Sequence, residues 1–429
     1  MKKKYRIILY TSIFLLCVVA SIILVVKKSN SVYEEESKPK VVKHKSMLSM
    51  NLEQTAGFGD YKTVTQSSWP TEGYKFNAEL SRCENGSTLS WDDTKKAVIV
   101  SGNLSDKCYV YFDIYQPTLA EYIKSQYTGT QGENNIYYHD SDLANGAGDN
   151  SYRYAGANPN NFVCFGTTES PCPTDNLYRI IGVFGENYHG VTGKQLVKLI
   201  KYDYMTTDEL GTDGDYSQTY KEWGMDSTYK GTYGDGERIG VYYWNYKATG
   251  SATNTWSTSL LNKTNLNTNF INNIGTTWAN KIATVTWKVG GNTWANIGTK
   301  TSSVAYTNEI TNPVTTNTTD NATTYSAKIG LMYVSDYGFA ASPDAWTLTM
   351  SSYNNTTATN NNWMYMGLYE WTISRYADYS NIAFSVLGDG GVHYGGVFSH
   401  CGVRASFNLE SSVSYVSGSG SMSDPIVIN

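Results

Sequence analysis

The stretch 363–409 constrains this chain most. It reads WMYMGLYEWTISRYADYSNIAFSVLGDGGVHYGGVFSHCGVRASFNL. Aromatic residues open it, a Gly-rich polar and aromatic run follows, and Gly402-Val403-Arg404 closes it. Apolar positions alternate with polar ones, and a period of two puts successive side chains on opposite faces of a strand. Such a stretch folds as short strands whose inner face packs on a core while the outer face is free for recognition.

At 429 residues the chain calls for more than one globular unit. Charged residues make up 17 % and aromatic residues 14 %, with 36 Tyr and 11 Trp. This palette suits surfaces that bind through aromatic area and adaptable hydrogen bonds. It also fits an extracellular β-rich protein from an AT-rich genome. A net charge of −5 argues against nucleic acid as the partner.

Met1–Arg6 is short and basic, and Ile7–Val26 is apolar or small apart from Tyr10, Thr11, Ser12 and Ser21. About 20 such residues make a helix that crosses a bilayer. A cleaved signal peptide is the alternative, but the run is longer than a typical signal core and no A-x-A site follows it. Leu16 before Cys17 also speaks against a lipoprotein site. The expectation is a cytoplasmic tail and signal anchor over 1–28, in a single-pass type II cell-membrane protein whose C-terminal ectodomain is extracellular. The segment 29–50, with its glutamates and lysines and no apolar period, reads as a stalk.

A small β module is expected over 51–115, a connector over 116–150 and the main domain over 151–429. The fold class is α+β. Ala97–Val100 and Cys108–Phe112 are strand-like, as are Leu177–Phe184, 195–202 and 329–335. The Gly and Asn in 185–193 point to a hairpin. Trp256–Ile274 has helical spacing through Leu266, Phe270 and Ile274, with an end at Gly275. Trp223, Tyr242, Tyr243, Trp244 and Tyr246 read as core aromatics.

Of the six cysteines, Cys83 and Cys108, then Cys164 and Cys172, form two local pairs. In an exported chain these are the simplest disulfides, although four cysteines allow three pairings. Zinc is disfavoured, because neither pair has C-x2-C spacing or a nearby His. In HDSDLANGAGDN, residues 139–150, the acids hint at calcium, but the spacing misses an EF-hand and a Gly/Asn turn explains it. No metal or other cofactor is expected.

Trp371-Thr372-Ile373-Ser374-Arg375, Asn381, Phe384-Ser385-Val386, Gly390-Gly391-Val392, Gly402-Val403-Arg404 and Phe407-Asn408-Leu409 together resemble a family. It comprises bacterial surface proteins with a C-type-lectin-like, formylglycine-generating-enzyme-like fold, closed by elements close to W-x-(I/L)-R-S, V-x-x-x-G-x-V and G-V-R-P. The closing 418–425, GSGSMSDP, is similar too. Ala405 stands where the family usually has Pro, which touches the rigidity of the segment. The match covers about the last 80 residues, with weaker similarity back to about Tyr152.

Some members of this fold are the variable proteins of diversity-generating retroelements. Their rewritten codons never give Lys, Glu, Gln, Met or Trp, and 376–401 contains none of these. A weakly charged polar ribbon passes the same test. The resemblance implies that Trp371, Ile373, Phe384, Val386, Val392, Val397, Val403 and Phe407 face the core. Arg404 is then a buried or half-buried tie to a carbonyl or carboxylate. Tyr376, Asp378, Tyr379, Leu387, Asp389, His393, Tyr394, Phe398, Ser399, His400 and Cys401 point outward as the ligand-binding set. The glycines at 388, 390, 391, 395 and 396 allow the turns between them.

No catalytic residue is nominated. The five His lie in no metal spacing, and no G-x-S-x-G or Walker loop occurs. His400 and Cys401 are neighbours on a strand, so they face opposite sides and cannot pass a proton. The functional expectation is adhesion or binding of an extracellular protein or glycan. A structural envelope protein is the second reading, and a cell-envelope enzyme of this fold the third.

Overall fold

The computed structural model describes residues 48–65, 68–70, 73–224, 228–247, 252–313 and 322–429. The expected membrane anchor, its tail and nearly all of the stalk lie outside these residues. Among the described residues no helix is long and apolar enough to cross a membrane. The chain divides into two units, one running to Gln116 and the other spanning Pro117–Asn429.

In the first unit, strand Leu48–Glu53 lies between Tyr61–Val64 and Cys108–Ile114, and Tyr74–Cys83 pairs on the far side of Cys108–Ile114. The first strand thus begins at Leu48, inside the span expected as stalk. Thr88–Asp92 and Ala97–Ser101 form a separate hairpin. Met50, Leu52, Val98, Val110 and Phe112 fill a small core. Cys83 and Cys108 stand opposite each other in register and are disulfide-bonded. Such a bridge adds stability to a unit with little core of its own. The turn after it is fixed by Asp106, whose carboxylate accepts from Asn85 N at 2.9 Å and from Ser87 N at 3.1 Å.

The second unit is mixed α+β with mostly strands, and holds two larger sheets. In the first, the order is Ile329–Gly330, Ser406–Asn408, Leu196–Lys201, Leu177–Phe184, Ser151–Tyr154, Ile136–His139. Leu177–Phe184 is buried at every position, as its continuous apolar run requires. Gly182 sits at a bulge so close to Tyr152 O that a side chain would collide with it. The expected hairpin to Leu196–Lys201 is present, with a helical turn, Glu186–His189, in its connection. Cys164 and Cys172 are bonded.

Several expectations change. The segment expected as a connector belongs to this unit: helix Leu119–Ser125 buries Leu119 and Ile123 in its core, and Ile136 joins them. A capping box of Thr118 and Glu121 starts that helix. Only Ile329–Gly330 of 329–335 is strand, and a helix, Val334–Ala340, follows. Its first amides donate to Glu309, Val334 N at 3.0 Å and Ser335 N at 2.8 Å, so a distant carboxylate sets where it starts. The helix expected over 256–274 is a short turn, Trp256–Thr258, then wide π-type turns, Leu261–Phe270, then Ile271–Ala279 with a break at Gly275. The acids of 139–150 are engaged in turn and ion-pair contacts. Asp140 accepts from Leu143 N at 3.0 Å, and Asp149 pairs with Arg153 at 2.8 Å.

Candidate functional site

The second sheet of the larger unit carries the 376–401 ribbon. Its order is Tyr216–Thr219, Gly240–Tyr243, His400–Gly402, Glu370–Tyr376, Ile382–Val386, Val392–Gly396. Trp371, Ile373, Phe384, Val386, Val392, Val397, Val403 and Phe407 are all buried. The indoles lock the strands together: Trp371 Nε1 donates to Tyr242 O at 2.8 Å and Trp244 Nε1 to Thr372 O at 2.9 Å. Arg404 is buried and meets Glu370 in a fork, with Nε and Nη2 each donating to one carboxylate oxygen at 2.8 Å. Nη2 also reaches Met364 O at 2.6 Å. The planar guanidinium matches a carboxylate in this bidentate way. Burial pushes the Glu370 carboxyl up, against the pull of Arg404.

Three turns project from this frame, and each is tied down from beneath. Asn254 Nδ2 donates to the carbonyls of Tyr376, Tyr379 and Ile382 at 2.7, 2.8 and 2.8 Å, which holds the first. The hydroxyls of Tyr365 and Tyr337 donate to Gly388 O and Gly390 O at 2.7 and 2.8 Å, which holds the second. Gly390 has φ +95°, and a side chain there would press on Thr359, so glycine is needed. Val397 N donates to Asn381 O at 2.9 Å and Asn245 N to Val397 O at 3.1 Å, which holds the third.

On these turns Asp378, Tyr379, Asp389, Phe398 and Ser399 are exposed, Tyr379 at 59 % and Phe398 at 53 %, and His393 is exposed on the strand Val392–Gly396. Leu387, Tyr394 and His400 are half-buried. Two expected members turn inward. Tyr376 is 7 % exposed because it ends a strand covered on both sides, and its ring packs on Phe384 and Tyr394 at 5.6 and 4.8 Å. Cys401 is 4 % exposed and unbonded. Strand alternation sends His400 outward and Cys401 inward. Burial, with Glu370 nearby, pushes the Cys401 thiol up, so the reactive thiolate is suppressed. Native chain treated with an alkylating reagent should leave the Cys401 peptide unlabelled, and urea should make it label fully, as read by peptide mass spectrometry.

The rings fall into two groups. Trp294, which lies over Gly298, meets His393 at 5.0 Å and Tyr394 at 5.4 Å, with His393 and Tyr394 stacked at 4.7 Å. The other group surrounds His400. Trp223 contacts it edge-on at 4.9 Å, Tyr243 lies 6.0 Å away, and Tyr246 stacks on Tyr243 at 4.5 Å. Tyr369 adjoins Trp223 at 5.6 Å. Burial lowers the His400 imidazole, which favours the neutral ring.

Trp223 is 36 % exposed, Tyr246 is exposed and Tyr243 half-buried, so these three are surface rings rather than core; Tyr242 and Trp244 are core as expected. Trp294 and Tyr369 were not singled out as binding residues by the sequence. One signal was available for Trp223: Thr219-x-x-Glu222 is a capping box that starts the helical turn Tyr220–Trp223. Among the described residues no group of three His, Cys, Asp or Glu is placed to hold a metal ion. No protein-family model, no curated protein and no solved structure matches this chain.

Proposed function

We propose that this chain is a membrane-anchored extracellular binding protein with a C-type-lectin-like larger unit, which takes a protein or glycan ligand on the ribbon 376–401. The observation that carries this reading is the sorting of that ribbon. Its alternate apolar side chains are buried on a frame keyed by Trp371, Trp244 and Arg404, while Tyr379 and Phe398 stand out on turns held by Asn254 and by Asn245, and His393 stands out from the strand Val392–Gly396. Rigid aromatic side chains on fixed turns bind with little ordering cost. Trp223, Tyr243, Tyr246 and Tyr369 around His400, and Trp294 beside His393, add further rings next to the ribbon.

The test presents the full chain on cells to glycan and protein arrays. The variant Tyr379→Ser/His393→Ser/Phe398→Ser should lower affinity for any captured ligand by roughly 30-fold or more, as loss of aromatic hot spots does. Unchanged binding by the variant would favour a structural envelope role. The same reading extends to diversification of 376–401. It requires an adenine-biased copy of this segment and a reverse transcriptase in neighbouring DNA, and their absence would end that part of it.

A further inference from the structure

The small first unit has a cavity that the ribbon does not share. It measures about 420 Å³, and every residue lining it lies between Pro70 and Tyr115. Two cavities in the larger unit, of about 260 and 220 Å³, fall below the roughly 300–1,000 Å³ of ordinary ligand pockets, whereas this one falls inside that range. Buried Phe112 is one of its lining rings. Phe76 and Trp91 meet Phe112 edge-on, at 5.9 and 5.7 Å with interplanar angles of 70° and 88°. Tyr74 and Tyr115 add two more rings to the lining.

Among the described residues that line it, Lys75 and Lys96 are basic and Asp93 is acidic. The Lys75 ammonium lies over the Tyr115 ring at 5.4 Å. Asp93 Oδ1 accepts from Trp91 Nε1 at 2.8 Å and lies 3.5 Å from Lys96, which fixes the indole as a wall. Lys96 holds a left-handed backbone, φ 47°, where glycine or asparagine would be less strained.

We propose that this cavity binds an acidic saccharide, a uronate ring, in the small unit. Rings set nearly at right angles to one another leave a slot whose walls suit the C–H faces of a pyranose. Lys75 and Lys96 complement its carboxylate, and Asp93 and the tyrosine hydroxyls accept from its hydroxyls. A uronate brings one negative charge past Asp93 where a phosphate monoester brings nearly two, and an extended peptide would pair along a strand edge rather than sit in a pocket of this size.

The test is titration calorimetry on the purified full chain. The probes are galacturonate and glucuronate disaccharides, their neutral galactose and glucose counterparts, AMP and an Asp/Glu peptide. The uronate disaccharides should bind at least about tenfold more tightly than the neutral ones, and less tightly as salt rises. Lys75→Gln/Lys96→Gln should weaken that binding about tenfold with an unchanged thermal midpoint, since both side chains are exposed. Tyr379→Ser/His393→Ser/Phe398→Ser should leave it untouched, which separates this site from the ribbon. No uronate binding, equal affinity for neutral sugars, or preference for AMP or the peptide would overturn the proposal.

Discussion

Arg404→Met is expected to destabilise the larger unit by about 3–5 kcal/mol, because it strands the buried Glu370 carboxylate without its partner. Arg404 ties Glu370, on the central strand of the second sheet, to the closing Gly402-Val403-Arg404 element and to Met364 O. The remedy for the stranded charge is protonation. Glu370 already sits above the ordinary glutamate range through burial. A carboxyl raised on folding stabilises fully below its unfolded pKa, and that contribution is lost as pH rises through its folded pKa. Removing Arg404 raises Glu370 further, so the deficit should be smaller in mild acid than at neutral pH. Adding Glu370→Leu should recover most of it, as replacing both members of a buried pair often does. Urea unfolding at the two pH values measures all three expectations.

Lys198→Met should have an effect of similar size, about 3–5 kcal/mol. The Lys198 ammonium is fully buried, 2.7 Å from Asp336 Oδ2 and 2.6 Å from the Tyr188 hydroxyl. Tyr188 in turn donates to Asp336 Oδ1 at 2.6 Å. This triangle joins strand Leu196–Lys201 in the first sheet to helix Val334–Ala340, and Arg153 approaches Asp336 at 3.8 Å. Tyr333, Tyr188 and Trp287 face the ammonium at 4.4, 4.8 and 5.0 Å. Without Lys198 the Tyr188 hydroxyl and Tyr333 N still donate to Asp336, but its charge is left with the more distant Arg153 as the cation beside it. Lys198→Met/Asp336→Leu should recover the stability only in part, because Tyr333 N then loses the carboxylate it donates to at 3.0 Å. Urea midpoints of the single and double variants give the coupling.

What the sequence made legible was whatever depended on local period. The alternating positions from Trp371 to Phe407 are all core, the two neighbouring cysteine pairs are the bonded ones, and His400 and Cys401 face apart. Alternation stopped being informative where a strand is covered on both faces, which is why Tyr376 is inside. Elements set by distant partners were not legible either. The helix at Val334 begins where Glu309 takes its amides, and residues 117–150 join the larger unit through Leu119 and Ile123 packing into a core far along the chain. The exposure of Trp223 and Tyr246 was not legible, because composition marks aromatics as core-formers without saying which of them a neighbouring strand will cover.

In the proposed function a fixed frame carries a replaceable outer face. Thermal unfolding of the full chain with Asp378, Tyr379, Asp389, His393, Phe398 and Ser399 all changed to other small or polar residues tests it directly. A fixed frame keeps the midpoint of the larger unit within a few degrees of the parent, as surface changes of about 0.5 kcal/mol or less each give. A drop as large as that of Arg404→Met would show that these side chains hold the fold together, and would contradict it.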